Sequence, residues 1–120
     1  MRVAASALIV VVAGLHLYFL VLEMFLWQTP FGRRTFRTTP EAAASSAVLA
    51  ANQGLYNGFL AVGLLWALVF TGTTGGRPVL TFFLLCVIVA GIYGAATVSR
   101  RILFIQSLPA AIALALLWLA

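Results

Sequence analysis

Four long apolar runs, separated by short polar ones, set the pattern of the chain. Val3–Trp27, Ala47–Thr71, Pro78–Val98 and Ile102–Ala120 are each predominantly apolar. Each is close to the ~20 residues that a helix needs to cross ~30 Å of hydrocarbon. Hydrocarbon offers no partner to an unpaired backbone N–H or C=O, so runs of this length are predicted to be helices.

The breaks between runs carry their own signals. Gln28–Ser46 holds three arginines together with Pro30 and Gly32, which are expected to stop the first helix. Thr39-Pro40-Glu41 then supplies a capping hydroxyl, a proline for the first helical position and a carboxylate for the positive helix end. The second helix is therefore expected to begin near Pro40 and to project beyond the bilayer. Thr71-Gly72-Thr73-Thr74-Gly75-Gly76 reads as a compact turn before Arg77-Pro78, and only Ser99-Arg100-Arg101 separates the last two runs. No long internal repeat is visible. The expectation is one domain, 1–120, all-α: a polytopic bundle of four transmembrane helices at about 3–27, 40–71, 78–98 and 102–120. Arg2 ahead of an apolar run suggests a signal peptide, but the run is too long and lacks a small-residue cleavage site, so it is read as a membrane helix.

Composition strengthens that picture. The chain is 64% hydrophobic and only 8% charged, against about a quarter charged in an ordinary soluble domain. Its mean hydropathy is +1.15. The net charge of +5 comes from seven arginines against Glu23 and Glu41. Every arginine stands at or beside the end of an apolar run, where membrane topology and anionic headgroups place it. The lipid bilayer, rather than nucleic acid, is the partner this charge implies. Arg33, Arg34, Arg37, Arg100 and Arg101 fall in the connections after the first and third runs. The positive-inside rule then makes those connections cytoplasmic and puts both termini outside a cell membrane. The lone Cys86 excludes an internal disulfide and a paired thiolate metal site.

Polar groups inside the spans are expensive enough to need a reason. His16 and Glu23 are separated by two helical turns and lie within about 20° of each other on the first helix. On the second, Asn52, Gln53, Tyr56 and Asn57 share one arc, flanked by Gly54 and Gly58, whose spacing permits close helix approach. An antiparallel hairpin of the two helices sets Glu23 opposite Asn52 and His16 opposite Asn57. Tyr93, Thr97 and Arg100 on the third helix and Gln106 and Pro109 on the fourth add polar features, and Arg100 or Arg101 is a candidate counter-ion for Glu23. Each feature has a plainer structural role: an ion pair, a packed histidine, amide adhesion between helices, and Trp27, Trp66 and Trp118 as interfacial anchors.

The stretches His16-Leu17-Tyr18, Leu22-Glu23-Met24-Phe25-Leu26-Trp27-Gln28-Thr29-Pro30 with Gly32-Arg33, and Leu49-Ala50-Ala51-Asn52-Gln53-Gly54-Leu55-Tyr56-Asn57-Gly58-Phe59 resemble a family of small bacterial membrane proteins known only as a domain of unknown function. The resemblance spans essentially the whole chain. It implies a four-helix membrane architecture and no particular reaction. Its motif residues coincide with His16, Glu23, Trp27, Asn52, Gln53, Tyr56 and Asn57, the candidate ligand-binding set. The leading expectation is binding or transport of a small molecule or ion through a polar pocket centred on Glu23, with no cofactor and no metal, since one histidine and one glutamate offer too few strong ligands. Two alternatives stay open: an enzyme acting on a lipid or quinone-like substrate with His16 and Glu23 as acid and base, and a structural subunit or homo-oligomer packed through Gly54 and Gly58. No residue is assigned a catalytic role, and binding is favoured over catalysis.

Overall fold

The computed structural model covers Met1–Ala120 and is all-helical. Its five α-helices are α1 Arg2–Met24, α2 Pro30–Phe36, α3 Pro40–Gly75, α4 Arg77–Thr97 and α5 Leu108–Leu119, the last entered through a π-helical turn at Leu103–Ser107. Helices α1, α3 and α4 are long and apolar enough to cross a membrane, and Leu103–Leu119 forms a shorter apolar helical segment.

Helix ends follow from local chemistry. At the start of α3, Thr39 Oγ1 accepts a hydrogen bond from the Ala42 amide at 3.1 Å, and Pro40 takes a position where its missing N–H leaves no gap. Near its other end, Gly72 adopts φ 69° and ψ −175°, a region open in practice to glycine alone. The Gly76 amide then closes the turn on Gly72 O at 3.0 Å.

Three elements depart from the sequence expectation. Helix α3 continues beyond Thr71 to Gly75 across a kink at Gly72, where a compact turn was expected. Helix α1 stops at Met24 rather than Trp27, and Pro30 and Gly32, expected only to end a helix, lie inside a new one. Thr29, in extended backbone, caps that helix: its Oγ1 accepts from the Gly32 amide at 3.1 Å and donates to Leu26 O at 2.7 Å. Pro30 at the first position is preset for helix by its ring. The fourth run is also not uniformly α-helical. Pro109 lacks an amide, and its ring would crowd the carbonyl of Ile105 one turn back. The wider π turn just before it relieves that conflict, with the Leu108 amide bonding back to Leu103 O.

The chain forms two compact units, Met1–Gly14 with Leu60–Ala120, and Leu15–Phe59. In the first, Ile9, Val12 and Ala13 of α1, Ala61, Leu64 and Ala67 of α3, Leu80, Leu84 and Val87 of α4, and Ala110, Ala113 and Leu117 of α5 make one buried core. Spacings of three and four residues keep each set on one helix face, and the alanines let backbones come close. Gly91 shows how close: a Cβ there would lie 2.0 Å from Ser107 Oγ and 2.9 Å from Ser107 N. The Ser107 hydroxyl donates to Ile88 O at 2.8 Å, tying the π turn to α4. At the far end of the α4 and α5 pair, the Trp118 indole donates to Thr81 Oγ1 at 2.9 Å and lies 5.0 Å beneath the Arg77 guanidinium, whose Nη2 donates to Ala120 O at 3.1 Å.

Gly91→Ala is expected to lower stability by about 1–3 kcal/mol, as overpacking does. Gly14→Ala, whose Cβ would meet nothing within 4 Å, should leave stability unchanged or raise it by up to about 1 kcal/mol through helix propensity. Thermal unfolding of both variants beside the wild type checks the contrast.

Candidate functional site

Within Leu15–Phe59 the last turns of α1 run antiparallel to the first half of α3, and two buried glycines set their separation. A Cβ on Gly58 would lie 2.6 Å from Leu20 Cδ1. One on Gly54 would lie 2.9 Å from Met24 Cγ, 3.0 Å from Glu23 Cβ and 3.3 Å from Leu20 O. At these positions α3 presents bare backbone to the side chains of α1, which a larger residue would hold away.

Helical side chains lean toward their own N-terminus. In an antiparallel pair, Glu23 therefore leans along α3 toward higher residue numbers, while Asn57 leans back toward it. They meet: Asn57 Nδ2 donates to Glu23 Oε1 at 2.5 Å. This corrects the pairing expected from helix level alone, in which Glu23 faced Asn52 and Asn57 faced His16. Glu23 is only 5% exposed, and Asn57 is half-buried.

Beyond Met24 the backbone turns under α2. The amides of Phe25 and Leu26 both reach Val21 O, at 3.0 and 3.2 Å, and the Thr29 amide reaches Leu26 O at 3.1 Å. Gly32 sits so close that a Cβ would come within 1.9 Å of Leu26 O. Trp27 is fixed on two sides: its Nε1 donates to Ser46 Oγ at 3.1 Å, and its ring lies 4.8 Å from that of Phe36. Ser46 in turn donates to Ala42 O at 2.7 Å. Between these pieces opens a cleft of about 270 Å³ lined by Glu23, Met24, Phe25, Trp27, Gln28, Thr29 and Ala47.

Of the sequence candidates, Glu23, Trp27 and Asn57 come together here, with Gly54 and Gly58 beneath them. His16 is buried and stands edge-on to Phe19 at 5.5 Å, and it is not part of the cleft wall. Asn52 and Gln53 are exposed. Tyr56, 59% exposed, packs against Phe59 with ring centres 5.7 Å apart. Arg100 and Arg101 are exposed and belong to the other unit. Met24, Phe25, Gln28, Thr29 and Ala47 line the cleft without having been singled out as site residues. The signal for them was Thr29-Pro30, the same dipeptide that marks the start of α3 at Thr39-Pro40.

Chemically the cleft is simple. Glu23 is its one ionisable side chain, and Asn57 engages its Oε1. The lining indole N–H and threonine hydroxyl are already engaged by Ser46 and Leu26. The family model described as a protein of unknown function, DUF1304, matches residues 10–118. The chain belongs to the DUF1304 family. A relative from Lactococcus lactis subsp. lactis (strain IL1403), described as the uncharacterized protein YpaA, is 29% identical over 108 residues, which is 88% of this chain and 89% of the relative. No solved structure matches. The DUF1304 match contains every residue of the cleft, so the cleft is a feature of the family region and not of a flanking segment.

Asn57→Ala leaves a buried carboxylate without its donor and is expected to cost about 1–2 kcal/mol. Asn52→Ala, at an exposed position, should stay within about 0.5 kcal/mol of wild type. Unfolding midpoints of the two variants, measured side by side, distinguish a held Glu23 from a diffuse polar face.

Proposed function

We propose that this DUF1304 protein is an integral membrane protein, a bundle of four transmembrane helices that binds or moves a small molecule or ion at the Glu23 cleft. The membrane reading is supported by where apolar side chains lie. Only 22% of the most apolar stretch of α4 and 33% of that of α1 is buried, and Val3, Val62, Val69, Phe70, Phe82 and Val89 are all more than half exposed. Such a surface is stable in hydrocarbon and not in water. The fourth crossing is the segment Leu103–Leu119. It is about 25 Å long at 1.5 Å per residue, a mismatch that a bilayer absorbs by local thinning at modest cost. The arginines of α2 and of the Arg100-Arg101 turn face the cytoplasm in this reading, with both termini outside.

The observation that carries the binding role is Glu23 itself: an acid 5% exposed, held by a neutral amide, lining a cleft. An intramembrane acid is costly unless it is used. Binding is favoured over catalysis because no second acid or base shares the cleft wall. It is favoured over assembly through the glycines because Gly54 and Gly58 are already covered by Leu20, Glu23 and Met24.

Native mass spectrometry of the protein released from membranes tests this reading. A bound mass on the wild type that disappears from both Glu23→Gln and Asn57→Ala is the expected result, and the same unliganded mass for all three rejects the proposal. For topology, with Cys86 replaced by alanine, a cysteine at Arg34 should react with an impermeant maleimide only in inverted vesicles. One at Gly75 should react in intact cells.

A further inference from the structure

We propose that the ligand of the Glu23 cleft is an organic ammonium cation, its charge against the Glu23 carboxylate and its alkyl substituents against Trp27, Phe25 and Met24. This rests on the binding reading above and names the ligand class. Trp27 Nε1 is spent on Ser46, Thr29 Oγ1 donates to Leu26 O and accepts from the Gly32 amide, and Asn57 Nδ2 is committed to Glu23 Oε1. The lining residues still offer the Glu23 carboxylate, the Gln28 amide, two aromatic side chains, a thioether and a methyl group. No arginine lines the wall, so an anion would meet a carboxylate with nothing to offset it. A cation meets an acid whose charge is not already cancelled.

Size and softness narrow the class. A volume of about 270 Å³ is several times the ~30 Å³ share of one water, too roomy for a bare ion and below the range of large drug-like ligands. No group of three His, Cys, Asp or Glu side chains gathers to hold a metal ion. Indole and phenyl faces attract cations through their quadrupoles, most strongly when the pair is shielded from water, and quaternary ammonium groups are the ligands this arrangement suits. The Met24 thioether adds a polarizable apolar contact. Trp27 can serve as such a wall because Ser46 and Phe36 hold it in place.

Ammonium chemistry can arrive as a free amine or as a lipid headgroup, and the test separates the two. Calorimetric titration of the protein in maltoside micelles would use choline, its uncharged isostere 3,3-dimethylbutan-1-ol, and dihexanoyl phosphatidylcholine. Choline should bind at least about tenfold more tightly than the isostere, and Glu23→Gln should reduce that preference to the severalfold part that the aromatic walls supply. Phe25→Leu, at a position 69% exposed and so tolerant of change, should weaken choline severalfold and leave the isostere unaffected. Tighter binding of the short-chain lipid than of choline identifies a headgroup site, and equal or weaker binding identifies a free cation; both uphold the ammonium assignment. Equal affinity for choline and its isostere, a choline preference unchanged by Glu23→Gln, or no binding of any of the three overturns it. The native mass measurement then tells the two ideas apart. A neutral or anionic ligand lost with Glu23→Gln ends the cation assignment and keeps the binding cleft, whereas an unliganded wild type ends both.

Discussion

Glu23 and Asn57 meet because Gly54 and Gly58 let α1 and α3 approach until side chains of one helix rest on the backbone of the other. The rest of the Leu15–Phe59 unit depends on that approach. With a Cβ at Gly58, Leu20 would have to move; with one at Gly54, Met24 and Glu23 would. Either shift separates the carboxylate from its amide. The same closeness brings Ser46 within reach of the Trp27 indole, so the cleft wall and the buried acid are set by one helix pair.

The connection after α1 completes the site because it is structured and not merely a link. Thr29 ties the turn to the helix that follows, receiving the Gly32 amide of α2 and donating to the carbonyl of Leu26 in the turn after α1. Gly32 is needed beside it, since only a missing side chain allows α2 to cross Leu26 O. Thr29 also accepts the Arg33 amide on its own carbonyl at 2.9 Å, so one residue holds two of the first amides of α2.

These facts also mark what the sequence could reveal. Apolar run length was enough to identify α1, α3 and α4, because it depends on composition over many residues. The start of α3 was legible in Thr39-Pro40-Glu41. The equivalent Thr29-Pro30 was passed over because it follows so closely on an apolar run that the proline reads as a stop, and α2 was lost with it. The π turn at Leu103–Ser107 was not read from the sequence, where Pro109 stood only as a polar feature of the fourth run. Within the site, Glu23, Trp27 and Asn57 were legible as polar or aromatic groups on facing stripes. Their pairing was not, because a helical wheel fixes neither the register of the helix pair, in which Gly54 and not Asn52 lies against Glu23, nor the lean of side chains along the axis. Register and lean together bring Asn57 to Glu23, while Asn52 and Gln53 are exposed.

The nature of Glu23's partner bears on what the cleft can do. An arginine in the place of Asn57 would fix the carboxylate equally well, but it would cancel its charge and leave the site with little attraction for a ligand. An amide donates one hydrogen bond, sets the orientation of the group and adds no charge. The carboxylate borders a cleft whose other lining groups, aromatic, thioether, hydroxyl and amide, are all uncharged. In the cation-binding role proposed above, a buried acid with a neutral partner draws its compensation from whatever enters, a proton or a cation large enough to touch the walls. On a single carboxylate the two compete, so that role also links ligand binding to proton release.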